Sequence, residues 1–175
     1  MKNTKLLLSA IAALSCLFVV NSCGKDNTTN NDGGSSSKSS FKAEAVDLGL
    51  SVKWASQNIG ASEPYKEGDY FTFDEAQNAV SGSKWSVPSQ SECQELCERC
   101  TFEESELNGI RGTKVTGPSG KSIFFPSNYY WTKTPVYTTD AYILSLGYYS
   151  YSYYVHSANG SRGRAEEFPV RPVCD

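Results

Sequence analysis

The sequence predicts an α+β domain, built mainly from short antiparallel strands and hairpins with one or two helices. Three observations carry that expectation. Apolar residues alternate in short runs, the clearest being Val46, Leu48, Leu50, Val52 and Trp54. Cys93, Leu96, Cys97 and Cys100 instead repeat with helical spacing. Two turn signals, Asn108-Gly109 and Gly117-Pro118-Ser119-Gly120, separate the β-rich runs that follow.

Three regions divide the chain: residues 1–22, 23–42 and 43–175. Lys2 and Lys5 precede an apolar run over residues 6–20. As a helix it would reach about 22 Å at ~1.5 Å per residue, short of the roughly 30 Å hydrocarbon core. It reads as an export signal rather than a membrane span. Val20-Asn21-Ser22-Cys23 closes it and resembles the lipobox of bacterial lipoproteins. That resemblance implies removal of residues 1–22 and acylation of Cys23, with membrane attachment through the lipid. Residues 24–40 contain no apolar side chain, so nothing offsets their ordering entropy and disorder is expected. Treated as a flexible coil, this linker would hold the domain roughly 20–25 Å from the membrane.

Within residues 43–175, the alternating run over 46–54 is read as a strand or bent strand, ended by Asn58-Ile59-Gly60. Residues 69–73 form a second short strand with Phe71 and Phe73 on one face, and Asp74 is placed to cap a short helix through Val80. The main helix follows Trp85-Ser86-Val87-Pro88, where Ser89 and Glu92 make a capping box. Strands near 110–116 and 123–125 flank the second turn as an antiparallel meander. Two more are expected over 141–146 and 147–156. The last, over 168–173, contains Pro169 and Pro172, which donate no ladder hydrogen bonds, so an edge or one-sided strand is expected.

The whole chain carries a formal charge of −3. A mildly acidic domain lacks the basic footprint of nucleic-acid binding. Of six cysteines, Cys16 lies in the export signal and Cys23 carries the lipid. Cys93, Cys97, Cys100 and Cys174 remain, and an oxidising compartment favours disulfides among them without fixing which. Zinc ligation by these four is the rival reading. Three thiols sharing a helix stripe with Leu96 fit core packing plus one or two disulfides better, because zinc knuckles place cysteines on tight turns. No metal or cofactor is expected.

Nine of the eleven tyrosines fall between Tyr129 and Tyr154. Over 147–156, Tyr149, Tyr151, Tyr153 and Val155 share one strand face. Such a platform suits a sugar ring or a partner surface, whereas strand propensity and core packing explain it equally simply. Tyr129, Tyr130, Trp131, Tyr149, Tyr151 and Tyr153 are the candidate ligand contacts. His156 is the single histidine and has no nucleophile pattern beside it. No nucleophile elbow, zinc-protease helix or phosphate loop occurs. Glu103, Glu104 and Glu106 read as a solvated face, and Arg162, Arg164 and Arg171 as balancing Glu166 and Glu167.

Several segments together resemble one family. Val46-Asp-Leu-Gly-Leu-Ser-Val-Lys-Trp-Ala55, Asn58-Ile-Gly-Ala61 and Gly68-Asp-Tyr-Phe71 open the resemblance. Trp85-Ser-Val-Pro88, Cys100-Thr-Phe102, Asn108-Gly-Ile110, Lys114-Val-Thr-Gly117, Ser122-Ile-Phe-Phe-Pro126, Tyr130-Trp-Thr132 and Val170-Arg-Pro-Val173 continue it in order. The set is similar to the Fibrobacter succinogenes major paralogous domain family of Bacteroidetes lipoproteins. The resemblance implies a C-type-lectin-like fold, related in outline to the formylglycine-generating enzymes. Where family members often carry a cysteine this chain has Gln57, so any bridge to Cys100 is rearranged toward Cys93, Cys97 or Cys174. Neither the calcium motifs of sugar-binding lectins nor the catalytic cysteines of the formylglycine enzymes are matched. Asp26 after the lipobox resembles a surface-export signal, implying an outer-membrane protein facing the exterior. The resulting expectation is a tethered, non-catalytic module for a glycan or protein ligand, with an accessory envelope lipoprotein as the alternative.

Overall fold

The computed structural model describes residues 41–146, 154–157 and 163–175, with the backbone alone for 154–157. Cys16, Cys23, the linker, Tyr149, Tyr151 and Tyr153 lie outside the described residues. So does Arg162.

The chain forms β1 (Ala45–Val46), β2 (Lys53–Ala55), α1 (Phe73–Asn78), α2 (Gln90–Arg99), β3 (Thr101–Leu107) and β4 (Ile110–Thr116). It continues through β5 (Ser122–Phe125), β6 (Tyr129–Pro135), β7 (Ala141–Ser145), β8 (Tyr154–Ser157) and β9 (Val173–Cys174). Among the described residues these strands make three antiparallel sheets, ordered β1-β2-β9, β3-β4-β5 and β6-β7-β8. The class is therefore α+β, with few helices and small sheets.

Helix α2 starts where the capping box places it. The Ser89 hydroxyl accepts from the Glu92 N–H at 3.2 Å, and the Glu92 carboxylate accepts in return from the Ser89 hydroxyl at 2.8 Å. Helix α1 is capped two residues earlier than expected. Thr72, not Asp74, precedes it, with both its N–H and its hydroxyl donating to Glu75, and it ends at Asn78 rather than Val80. The meander is present, and it gains a strand the sequence reading missed: Glu103, Glu104 and Glu106 lie on β3, paired to β4 along its whole length.

Residues 47–52 are not strand. Asp47 Oδ1 accepts from the Gly49 N–H at 2.8 Å, and Gly49 sits at φ 81°. This loop docks on the 117–120 turn, whose Ser119 N–H donates to the Leu48 carbonyl at 3.0 Å. Gly117 passes so close that a Cβ there would lie 2.1 Å from the Leu48 carbonyl oxygen.

Two cores lie on opposite faces of shared strands. Trp54, Tyr130, Leu144 and Val173 point into one, with Cys93 and Leu96 of α2. Their chain neighbours Ala55, Trp131, Ile143 and Cys174 point into the other, with Phe73 and Ala76 of α1. Period-2 alternation thus feeds both cores from β2, β6, β7 and β9. The C-terminal segment is the seam. Only Val173–Cys174 of the expected 168–173 strand is strand, and it lies at the edge of its sheet, yet residues 168–174 are buried throughout. Pro169 accepts from the Trp131 N–H at 3.1 Å and Pro172 from the Ala55 N–H at 2.8 Å. A proline lacks a donor but keeps its carbonyl, so it serves inside a sheet wherever only an acceptor is required.

Candidate functional site

The aromatic residues converge on a groove of about 290 Å³ lined in part by Tyr70, Tyr129, Ser127, Glu67, Glu167 and Phe168. Its walls come from three parts of the chain. Phe71 and Phe168 pair through two backbone hydrogen bonds of 3.1 and 3.0 Å, and this antiparallel register sets Tyr70 against Pro169 and Thr72 against Glu167. Tyr129 begins β6, and its ring rests on Phe168 at a centroid distance of 5.7 Å and 54°. Tyr70 is 44% exposed and donates its hydroxyl to Glu67 Oε2 at 3.0 Å. Partial burial raises the Tyr70 phenol above its ordinary value; the Ser127 hydroxyl opposes that, and Glu67 adds to it.

Ser127 Oγ is buried and makes no well-formed hydrogen bond, though it lies near enough to Tyr70 and Tyr130 to bear on both phenols. The Ser127 N–H donates to Tyr130 Oη at 2.9 Å, and the Asn128 carbonyl accepts from the Leu146 N–H at 2.7 Å. The groove floor is therefore pinned from beneath.

Of the six expected contacts, Tyr129 lines the groove. Tyr130 and Trp131 do not: both are fully buried. Strand β6 is covered on both faces, so neighbouring residues that point oppositely are each enclosed by a core. Tyr130 instead props the groove floor, and Trp131 donates from Nε1 to the Phe71 carbonyl at 2.7 Å. Tyr149, Tyr151 and Tyr153 lie outside the described residues. Tyr70 was missed, although the alternation of Phe71 and Phe73 inward sends Tyr70 outward. Glu67 and Glu167 carried no sequence signal.

The four thiols are free. Cys93 and Cys174 occupy opposite cores, so the strands between them separate the helix from the C-terminal cysteine. Among the described residues no group of three or more His, Cys, Asp or Glu side chains is placed to hold a metal ion. Nor is any helix there long and apolar enough to cross a membrane.

Arg164 and Arg171 do not balance Glu166 and Glu167. Arg164 pairs with Asp74 and lies over the Phe73 ring at 4.5 Å. Arg171 is fully buried: Nε donates to Asn58 Oδ1 at 2.7 Å, Nη1 to the Ala55 carbonyl at 3.1 Å and Nη2 to the Phe124 carbonyl at 2.8 Å. Burial lowers it to about 10, so it enters the core charged, near the Tyr130 phenol that steadies the groove.

A larger groove of about 320 Å³ runs past Val46, Pro64, Leu107 and Phe124. It is the more apolar of the two, but Phe124, its aromatic ring, is only 7% exposed. The smaller groove alone combines half-open rings with hydrogen-bonding groups, and that combination is the better ligand chemistry. Against known proteins, the chain matches no family model, no curated protein and no solved structure.

Proposed function

We propose that this chain is a non-catalytic glycan-binding module with a C-type-lectin-like fold, of the family its motifs resemble. Cys23 holds it by an acyl chain at the outer membrane, facing outward. The observation that carries the reading is the groove in which Tyr70 and Tyr129 offer ring faces between Glu67 and Glu167. A pyranose presents an apolar C–H face and equatorial hydroxyls; aromatic rings meet the first, and carboxylates accept from the second. The hydroxyl–carboxylate pair in the groove, Tyr70 with Glu67, holds a phenol raised above its ordinary value, the wrong direction for an activated nucleophile, which supports binding rather than turnover.

A glycan array probed with the mature chain, followed by calorimetry on its best hit, tests this. Tyr129→Ala and Tyr70→Ala should each weaken binding about tenfold, the loss of one ring stack. A blank array, or a hit indifferent to both substitutions, sinks the reading. The accessory-lipoprotein alternative rests on Leu107 and Ile110, each 40% exposed at the tip of the β3–β4 hairpin. Crosslinking in intact cells that joined this tip to one stoichiometric protein would favour it.

A further inference from the structure

Cys97-Glu98-Arg99-Cys100 closes helix α2, and its two thiols are the pair the fold leaves near the surface. Both are half-buried at the rim of the core that encloses Cys93, while Cys174 is sealed in the opposite core. They are close enough for the charge on one to bear on the other. We propose that Cys97 and Cys100 close into a disulfide in an oxidising compartment, while Cys93 and Cys174 remain thiols.

Geometry separates this pairing from its rivals. Side chains three apart on a helix have Cβ atoms about 5–6 Å apart, and a disulfide requires roughly 3.5–4.5 Å. The remaining gap falls on a residue free to close it: Cys100 is the C-cap, with an extended backbone at φ −101° and ψ 159°. A small rotation there brings its sulfur inward without opening the helical hydrogen bonds that precede it. Cys93 and Cys97 both have helical backbone, so bridging them would distort α2 and draw a core residue outward. Cys93 and Cys100 stand seven residues apart, about 10 Å along the axis. Cys174 is blocked by the intervening strands.

The chemistry is thiol–disulfide exchange with an external disulfide, such as that of a dithiol oxidase. Burial pushes Cys97 up to about 12 and Cys100 to about 11. Cys100 is thus the more readily ionised and attacks first, forming a mixed disulfide and releasing one external thiolate. Cys97 then loses its proton and displaces the second external sulfur. The protein gives up two electrons and two protons, and the oxidant leaves as a dithiol. The same high thiol values make both sulfurs poor leaving groups, so the closed bridge reopens slowly. This marks a structural clasp that pins the last turn of α2 to its own C-cap, not a redox catalyst.

Trypsin cuts after Arg99, between the two cysteines. The full protein, exported by its cell and alkylated at lysis, is digested without reductant. The expected product is the peptide ending at Arg99 joined to the one beginning at Cys100, lighter than their sum by about 2 Da. Cys93 and Cys174 should be alkylated. Fragmentation of the linked pair places the bridge on Cys97 rather than Cys93, and Cys93→Ser retains the link whereas Cys97→Ser loses it. Alkylated Cys97 and Cys100, or any bridge through Cys93 or Cys174, overturns the proposal.

Discussion

The guanidinium of Arg171 meets a side-chain amide, two backbone carbonyls and the face of Phe125 at 4.6 Å. Two separate chain segments, residues 55–58 and 124–125, thus depend on one planar fork of donors. Arg171→Ala would strand those acceptors and open a void; the expected loss is about 3–5 kcal/mol in urea unfolding. Arg171→Lys keeps the charge but not the fork, and should still cost about 2 kcal/mol or more. A lysine variant of native stability would show that charge alone suffices. Cys93 gives a second test. Burial holds its thiol well above the ordinary 9.0. Above that pH the unfolded chain releases a proton that the folded chain keeps, so stability falls as pH rises. In reduced protein the slope from Cys93 should approach about 1.4 kcal/mol per pH unit, and Cys93→Ala should flatten it by that amount. Equal slopes at pH 9–10.5 would refute the assignment. The environment of Arg171 was not legible in the sequence, because arginine defaults to the surface, whereas the stripe of Cys93 and Leu96 pointed to core packing and both are buried in one core. The candidate site was legible only in part. Tyr129 was found because tyrosines cluster around it, but Tyr130 and Trp131 were misplaced because a strand covered on both faces shows no polar alternation.

Element α2 and the β3–β4 turn were readable because their signals are local. A capping box fixes a helix start, and Asn108 at φ 52° followed by Gly109 at φ 81° makes the two-residue hairpin turn. The 47–52 loop misled because burial there follows period 2 without strand pairing: Leu48 and Trp54 reach one core from a bend. What bends it is distant in sequence, the turn at 117–120. Two glycines separate local from tertiary requirements. A Cβ on Gly109 meets nothing within 4 Å, so Gly109→Ala should cost only the left-handed backbone penalty, about 1 kcal/mol. Gly117→Ala meets the Leu48 backbone and must push two loops apart, so it should cost more than twice that. Denaturant midpoints of the two variants decide this. The reverse order would mean that the 47–52 loop yields freely and does not fix the core above it.

At the scale of the whole molecule, the last residues of the chain hold its middle. Residues 168–174 bond to Phe71, Ile59 and Ala55 on one side and to Trp131 and Ser86 on the other. Phe168, Val170 and Cys174 enter one core, Val173 enters the other, and Arg171 ties Asn58 to Phe124. A chain stopped after Glu167 would therefore lose a strand partner for β2, the fork of Arg171 and apolar contacts in both cores. Each buried aliphatic or aromatic side chain is worth roughly 1.5–3 kcal/mol, and three such residues, Phe168, Val170 and Val173, are removed along with Cys174. Together these losses match or exceed the 5–15 kcal/mol by which a domain of this kind is stable. The truncated chain should show no cooperative unfolding transition and no dispersed methyl signals in a proton NMR spectrum. Deleting Asp175 alone, which is exposed, should leave both unchanged. The contrast separates a seam from a tail, because dispensable termini fray without consequence whereas this one closes two cores at once. A truncated protein that kept dispersed methyl resonances would mean β6 and β7 can seal both cores unaided, and the C-terminal segment would then be an added strap.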